Sequence, residues 1–307
     1  LQGDWSSDVC SSDLLNKKNN KTHGAPNAGS ELKDLWPGQS HELLKALHIL
    51  TRDGKLNQDS RRKLKQVQHL VQLIQPGLED QKLIVDLGAG KSYLGFMLYD
   101  LWMRERADTS LIAIESRESL IETSREIAVK SGFDRIQFVC GTIQEARTSR
   151  EVPPEVDVVT ALHACDTATD DSIIFATEKK AKFIALVPCC QAEVARWLES
   201  LKDSKTSLNA LWRHPHHRRE FGSHLTNVIR ALALEALGYK VRVTELIGWE
   251  HAMKNELLVA SKVQGQNSLA KRSLINLLRE ISPDLNSAQS SLYLLKRLRD
   301  LGLDLTT

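Results

Sequence analysis

Residues 84–93 read Ile-Val-Asp-Leu-Gly-Ala-Gly-Lys-Ser-Tyr, placing Asp86, Gly88, Gly90 and Lys91 at the end of an apolar run. Glycines at this spacing let a backbone turn sharply after a strand and approach a ligand closely. Asp86 argues that the turn does more than connect two elements, because a carboxyl at the end of a buried strand is costly unless it faces something polar. A dinucleotide fingerprint would put a third glycine at position 93, where close helix packing makes room for a pyrophosphate. Tyr93 stands there instead, which weighs against a nicotinamide-dependent oxidoreductase. A second reactive stretch, residues 163–170, reads His-Ala-Cys-Asp-Thr-Ala-Thr-Asp and gathers His163, Cys165, Asp166 and Asp170. His and Asp take protons from attacking nucleophiles, so His163 and Asp166 are the candidate general bases. The third is Pro188-Cys189-Cys190-Gln191. Without a Cys-x-x-Cys or His-x-x-x-His pair, these thiols and imidazoles lack the spacing of a metal site, and none is expected.

The elements that position these residues follow from the hydrophobic rhythm. Two amphipathic segments, 40–50 and 60–74, come first, the second with Pro76-Gly77 as its expected stop. Apolar runs at 82–87, 110–115, 135–140, 156–161 and 182–187 then alternate with helical stretches near 91–104, 117–131, 170–179 and 191–201. That alternation means a parallel sheet with helices on both faces, a doubly wound α/β fold. A helix at 221–237, stopped by Gly238, leads to strands at 240–247 and 256–262 that form a closing antiparallel hairpin. Two more amphipathic helices are expected at 269–281 and 292–301. Ligands of such sheets bind outside the carboxyl ends of the strands, near where strand order reverses. The glycine turn and residues 163–170 and 188–191 all fall there. An antiparallel last strand begins on the same edge, which brings in residues 249–255 and makes Lys254 a candidate to orient an acceptor. A helix running back to that hairpin also starts there. Arg218 and Arg219, in the basic run 213–219, are therefore placed to line a substrate, and Arg61, Arg62 and Lys63 have the same geometry.

The Asp-x-Gly-x-Gly pattern, with Glu115 closing the second strand, resembles the cofactor site of class I S-adenosylmethionine-dependent methyltransferases. The resemblance implies a Rossmann-like fold and S-adenosyl-L-methionine as cofactor. The glycine turn would lie under the methionine part, and the Glu115 carboxylate would take both ribose hydroxyls. Where many members have an acid near adenine, this chain has Thr142 and Ile143. The motifs at 163–170 and 188–191, with Glu250-His251-Ala-Met-Lys254-Asn255, are similar to a bacterial methyltransferase-domain family of largely undefined substrate. They mark Cys165, Asp170, Cys189, Cys190, Gln191, His251 and Asn255 as substrate-lining. That family usually has Thr-Pro where this chain has Ala252-Met253. More distantly, the His-x-Cys and Cys-Cys elements resemble a eukaryotic tRNA 2′-O-methyltransferase, whose zinc-binding modules have no counterpart in spacing here.

The chain has 307 residues, 41% hydrophobic and 26% charged, with a formal charge of +2. This excludes collagen, a disulfide miniprotein and a bilayer-spanning protein, and predicts no global attraction to nucleic acid. Residues 6–14 resemble translated read-through of a sequencing adapter; 1–14 are expected to lie outside the fold, 15–30 to be disordered, and the natural N-terminus to be missing. The expected divisions are a leader at 1–30, an N-terminal helical segment at 31–80, the methyltransferase domain at 81–263 and a C-terminal helical extension at 264–307. Cys140 is expected in the core, and the cysteines as reduced thiols of a cytoplasmic protein. The function expected is S-adenosylmethionine-dependent methyl transfer, with RNA as the favoured acceptor. A non-catalytic cofactor- or RNA-binding module and a nucleotide-dependent oxidoreductase are the alternatives.

Overall fold

Short aliphatic runs with no polar alternation need cover on both faces, and a parallel sheet between helix layers supplies it. The structure, a computed structural model, describes residues 35–162, 164, 166–188, 192–204, 206–246 and 256–305. Its strands are β1 (Leu83–Leu87), β2 (Ser110–Glu115), β3 (Ile136–Cys140), β4 (Val158–Leu162), β5 (Phe183–Val187), β6 (Tyr239–Glu245) and β7 (Glu256–Lys262). They form one sheet in the order β3-β2-β1-β4-β5-β7-β6. The first five are parallel, and β7 runs antiparallel to both β5 and β6. Strand order reverses between β1 and β4, the strands that lead into the glycine turn and into residues 163–170. The hairpin forms as expected, but its second strand lies inside the sheet and its first on the rim, so the sheet stays open, with β3 and β6 as its edges.

The helices are α1 (His41–Ala46), α2 (Gln58–Leu78), α3 (Tyr93–Leu98), α4 (Glu118–Ser131), α5 (Ile143–Ala146), α6 (Thr167–Glu178), α7 (Glu193–Ser200), α8 (Pro215–Ala236), α9 (Ser268–Ile281), α10 (Leu285–Ser291) and α11 (Tyr293–Leu298). Alternate residues of each strand serve opposite layers. Val85, Leu87, Ile112, Ile114, Val159, Ala161, Ile184 and Leu186 join Ile173, Leu225, Ile229, Leu274 and Leu294 in one apolar cluster, so α6, α8 and the C-terminal helices cover that face. The other face packs against α2 and α3, where Gly77 lies against the Phe183 ring and Gly95 against Leu111.

Several boundaries differ from the sequence expectation. Helix α2 does not stop at Pro76-Gly77 but runs through to Leu78. Leu78 is fully buried and Gly77 admits Phe183, so tertiary packing holds the last turn together although Pro76 has no N–H to give it. Helix α8 begins six residues early, at Pro215 in its first turn, where proline's fixed φ suits a helix start. Gly238 does end the region after α8, at φ +93°. The C-terminal part holds three helices rather than two, packed on α6, α7 and α8. Cys140 is exposed rather than buried, because β3 is an edge strand and this is its last residue. Among the described residues no helix is long and apolar enough to cross a membrane.

Candidate functional site

The glycine turn is held in shape by its neighbour strand. Gly88 and Gly90 take φ +63° and +56°, values open to glycine and strained for most side chains. The Ala89 N–H donates to the Ile114 carbonyl at 2.9 Å, and the Gly90 N–H donates to Glu115 Oε2 at 2.8 Å. Glu115 Oε1 accepts from the Arg117 N–H at 3.0 Å and from Arg117 Nε at 2.9 Å. Burial alone would raise the Glu115 carboxyl, but the hydrogen bonds and charge of Arg117, with the Gly90 N–H, outweigh it and hold it below the usual range. Glu115 is therefore an ionised, 5% exposed acceptor at the carboxyl edge, beside the glycine turn.

Asp86, 1% exposed, accepts a 2.7 Å hydrogen bond from Thr160 Oγ1 on β4. Desolvation, only partly offset by Thr160 and reinforced by the charge of Glu115, pushes its carboxyl up to about 7. The turn itself leaves room for a ligand: a Cβ added at Gly88 or Gly90 would meet nothing within 4 Å. Ser92, in the left-handed region at φ 54°, is buried, and its hydroxyl finds no partner among the described residues. An unpaired buried hydroxyl under an open glycine turn suits a polar ligand that reaches it. Lys91 is exposed beside the turn. Tyr93 donates its hydroxyl to the Leu47 carbonyl at 3.0 Å, tying the N-terminal segment to the start of α3.

Thr142 and Ile143 have other duties. Thr142 Oγ1 accepts from the Glu145 N–H at 3.2 Å while Glu145 accepts from the Thr142 N–H at 2.7 Å, a capping box that starts α5. Ile143 is packed into the apolar cluster. The Thr-x-x-Glu signal for this helix was present in the sequence and went unread there.

At the end of β4, Asp166 takes φ 50°, ψ −122°, a conformation glycine adopts freely and aspartate rarely. Its Oδ1 accepts from the Ala192 N–H at 3.4 Å, and Arg196 lies 3.9 Å from Oδ2. Asp170 does not line an open wall. It is buried on α6 against Arg230 of α8, whose Nε donates to Oδ1 at 2.7 Å. Burial pushes the Asp170 carboxyl up, against the pull of Arg230.

Residues 215–219 of the basic run open α8, and Arg213 and His214 precede it. Arg218 donates to Glu199 Oε1 at 2.9 Å and ties α8 to α7. Arg219 is exposed, with Nη2 3.1 Å from His216 Nδ1 and Nε donating to Glu220 at 3.3 Å. Near the start of α2, Ser60 is buried with its hydroxyl donating to the His48 carbonyl, Arg62 lies 3.8 Å from Asp59, and Lys63 is exposed. His163, Cys165, Cys189, Cys190, Gln191, His251, Lys254 and Asn255 lie outside the described residues. Leu186 pairs with Leu258, so β7 starts, at Glu256, on the carboxyl edge of β5. No cluster of three His, Cys, Asp or Glu side chains able to hold a metal occurs among the described residues.

The geometry is joined by a family match. A methyltransferase-domain family matches residues 62–197, from the second turn of α2 into α7. No curated protein matches the chain. Among solved structures, the chain is similar to the S-adenosylhomocysteine-bound Podospora anserina methyltransferase PaMTH1, at 13% identity and TM-score 0.46, over 80% of this chain and 100% of that one. It is similar to M. capricolum TrmK in complex with S-adenosylhomocysteine at 14% identity and TM-score 0.41, over 78% and 97%. A Geobacter sulfurreducens methyltransferase is similar at 15% identity and TM-score 0.41, over 77% and 95%. The sheet order and helix layers are those of a doubly wound, Rossmann-like α/β fold.

Proposed function

We propose that the protein is an S-adenosyl-L-methionine-dependent methyltransferase acting on RNA in the cytoplasm. The observation that carries the reading is the joined pair of Glu115 and the glycine turn. An ionised carboxylate accepts from the Gly90 N–H beside a turn that is open at Gly88, where an added Cβ would meet nothing within 4 Å, in a segment that matches a methyltransferase domain.

The residues present fit the donor. Glu115 offers carboxylate oxygens to a ribose diol, the turn admits the methionine part, and the Ser92 hydroxyl and Asp86 supply polar contacts below it. When bound, the donor supplies a sulfonium methyl that is displaced in one step, its C–S electron pair staying on sulfur. The chain's own part is alignment, with removal of the acceptor's proton. Asp166 is the first candidate for that proton, its carboxylate being partly exposed just ahead of α6. His163 is the second candidate for the proton, and Lys254 the candidate to orient an acceptor oxygen or phosphate. The exposed Arg219, Lys91 and Lys63, on elements that start or turn at the carboxyl edge, support a polyanionic acceptor through phosphate contacts. The cysteine usage suits a reducing compartment.

The test is transfer of tritiated methyl groups to fractionated cell extract. Label in RNA supports the reading, label in protein or small molecules moves the acceptor, and cofactor binding without label in any fraction marks a binding module.

A further inference from the structure

Arg230 lies on the inner face of α8 between Ile229 and Ala233 and is 1% exposed. A guanidinium there is costly unless its N–H groups are partnered. They are, and the partners come from separate segments around the end of β4. Nε donates to Asp170 Oδ1 at 2.7 Å, Nη2 to the Asp166 carbonyl at 2.8 Å, and Nη1 to Asn227 Oδ1 at 3.4 Å. Asn227 in turn donates to Glu256 Oε2 at 2.5 Å, at the first residue of β7, and His224 lies 3.1 Å from the other Glu256 oxygen.

One rigid side chain thus connects Asp166 just ahead of α6, the first turn of α6 and, through Asn227, the start of β7. Asp166, the residue whose carbonyl it holds, has a backbone conformation that aspartate keeps only where the surroundings over-determine it. A buried ion pair is a weak source of stability compared with apolar side chains of the same volume, so the pair's geometry asks for another role. We infer that Arg230 is a positioning residue for methyl transfer: it fixes the Asp166 backbone, and so its carboxylate, relative to the start of β7. This rests on the reading of the protein as a methyltransferase with Asp166 at the acceptor.

The test separates holding the fold from placing Asp166. In the double variant Arg230→Met/Asp170→Leu both buried charges go and the volume stays, so the fold is expected to keep a melting temperature within a few degrees of the parent. It should bind S-adenosylhomocysteine within about 3-fold of the parent, yet transfer methyl groups about 10²-fold more slowly, the loss typical of a small misplacement of a reacting group. A double variant with parental melting and parental transfer overturns the inference. If that variant fails to fold, Arg230→Lys decides, because lysine keeps the charge but cannot hold both the Asp170 carboxylate and the Asp166 carbonyl. Its kcat should fall with acceptor KM and cofactor affinity unchanged, and an unchanged kcat overturns the inference. A parent that binds no S-adenosylhomocysteine and labels no fraction brings down the methyltransferase reading itself, and this inference with it.

Discussion

Asp86 holds a proton in the folded protein at pH values where it has lost it in the unfolded chain. Its ordinary value is 3.8 and burial beside Thr160 and Glu115 pushes it to about 7. Between those values the native state binds the extra proton, so this group's contribution falls as pH rises through the window and levels off above it. Asp86→Asn keeps an acceptor for Thr160 and removes the titration. Relative to the parent, the variant should be more stable by about 1–2 kcal/mol at pH 5 and by a few kcal/mol at pH 8, with its melting temperature pulling away from the parent's as pH rises between them. Parallel melting curves at both pH values would show that Asp86 is ionised throughout. Glu115→Gln asks a different question of the neighbouring acid. The amide retains one acceptor but loses the charge, and binding of S-adenosylhomocysteine should weaken by about 1–3 kcal/mol in calorimetry. Equal affinity would reduce Glu115 to a brace for the Gly90 turn. Both acids were legible in the sequence, through the Asp-x-Gly-x-Gly spacing and the end of the second strand. Arg117 and Thr160 were not, because a partner two residues along or one strand over leaves no periodic signal. Asp170 misled for a related reason: a carboxylate in a reactive-looking string gave no sign that Arg230, 60 residues on, neutralises it in the core.

Strands showed most clearly in the sequence, since runs such as residues 84–87 and 183–187 are buried on both faces and need no partner to be recognised. Helix ends were harder. Pro76-Gly77 carries the local signal of a stop, yet the helix continues because Gly77 is where Phe183 of β5 meets α2: a Cβ there would lie 2.1 Å from the ring. Gly77→Ala should therefore destabilise the protein by about 1–3 kcal/mol, and Phe183→Leu in the same chain should recover part of it. Denaturant unfolding of the single and double variants measures this, and a neutral Gly77→Ala would mean that the glycine is a terminator after all. The early start of α8 has the same lesson in reverse. His214-Pro215 is a helix start by proline's preference for the first turn, and the polar, histidine-rich composition of 213–219 has no apolar period to extend the helix expected from 221. Moving those residues onto a helix changes what they offer: Arg218 becomes a strut to Glu199, and Arg219 with His216 remains the exposed pair.

At the scale of the molecule, one edge of an open sheet collects the chemistry. The order β3-β2-β1-β4-β5-β7-β6 puts the β1 turn, the end of β2, the β4-to-α6 connection with Asp166 and the start of β7 along that edge. The parallel part of this order followed from the alternation of strands and helices. The inward place of β7 did not, because a hairpin pattern says which strands pair and not which of them meets β5. The C-terminal helices complete the layer over α6 and α8, with Tyr293 donating to Asp171 at 2.6 Å and its N–H donating to Glu193 at 3.0 Å; their amphipathic pattern did not show what they would cover. The proposed methyl transfer requires this edge to bind S-adenosylmethionine through the glycine turn. Calorimetric titration of S-adenosylhomocysteine into the parent protein and into Gly88→Val tests it most directly, with melting to confirm that the variant is folded. Saturable one-site binding is expected from the parent and none from folded Gly88→Val, whose branched side chain would stand at φ +63° in the turn. No binding by the parent, or parental affinity in Gly88→Val, would contradict it.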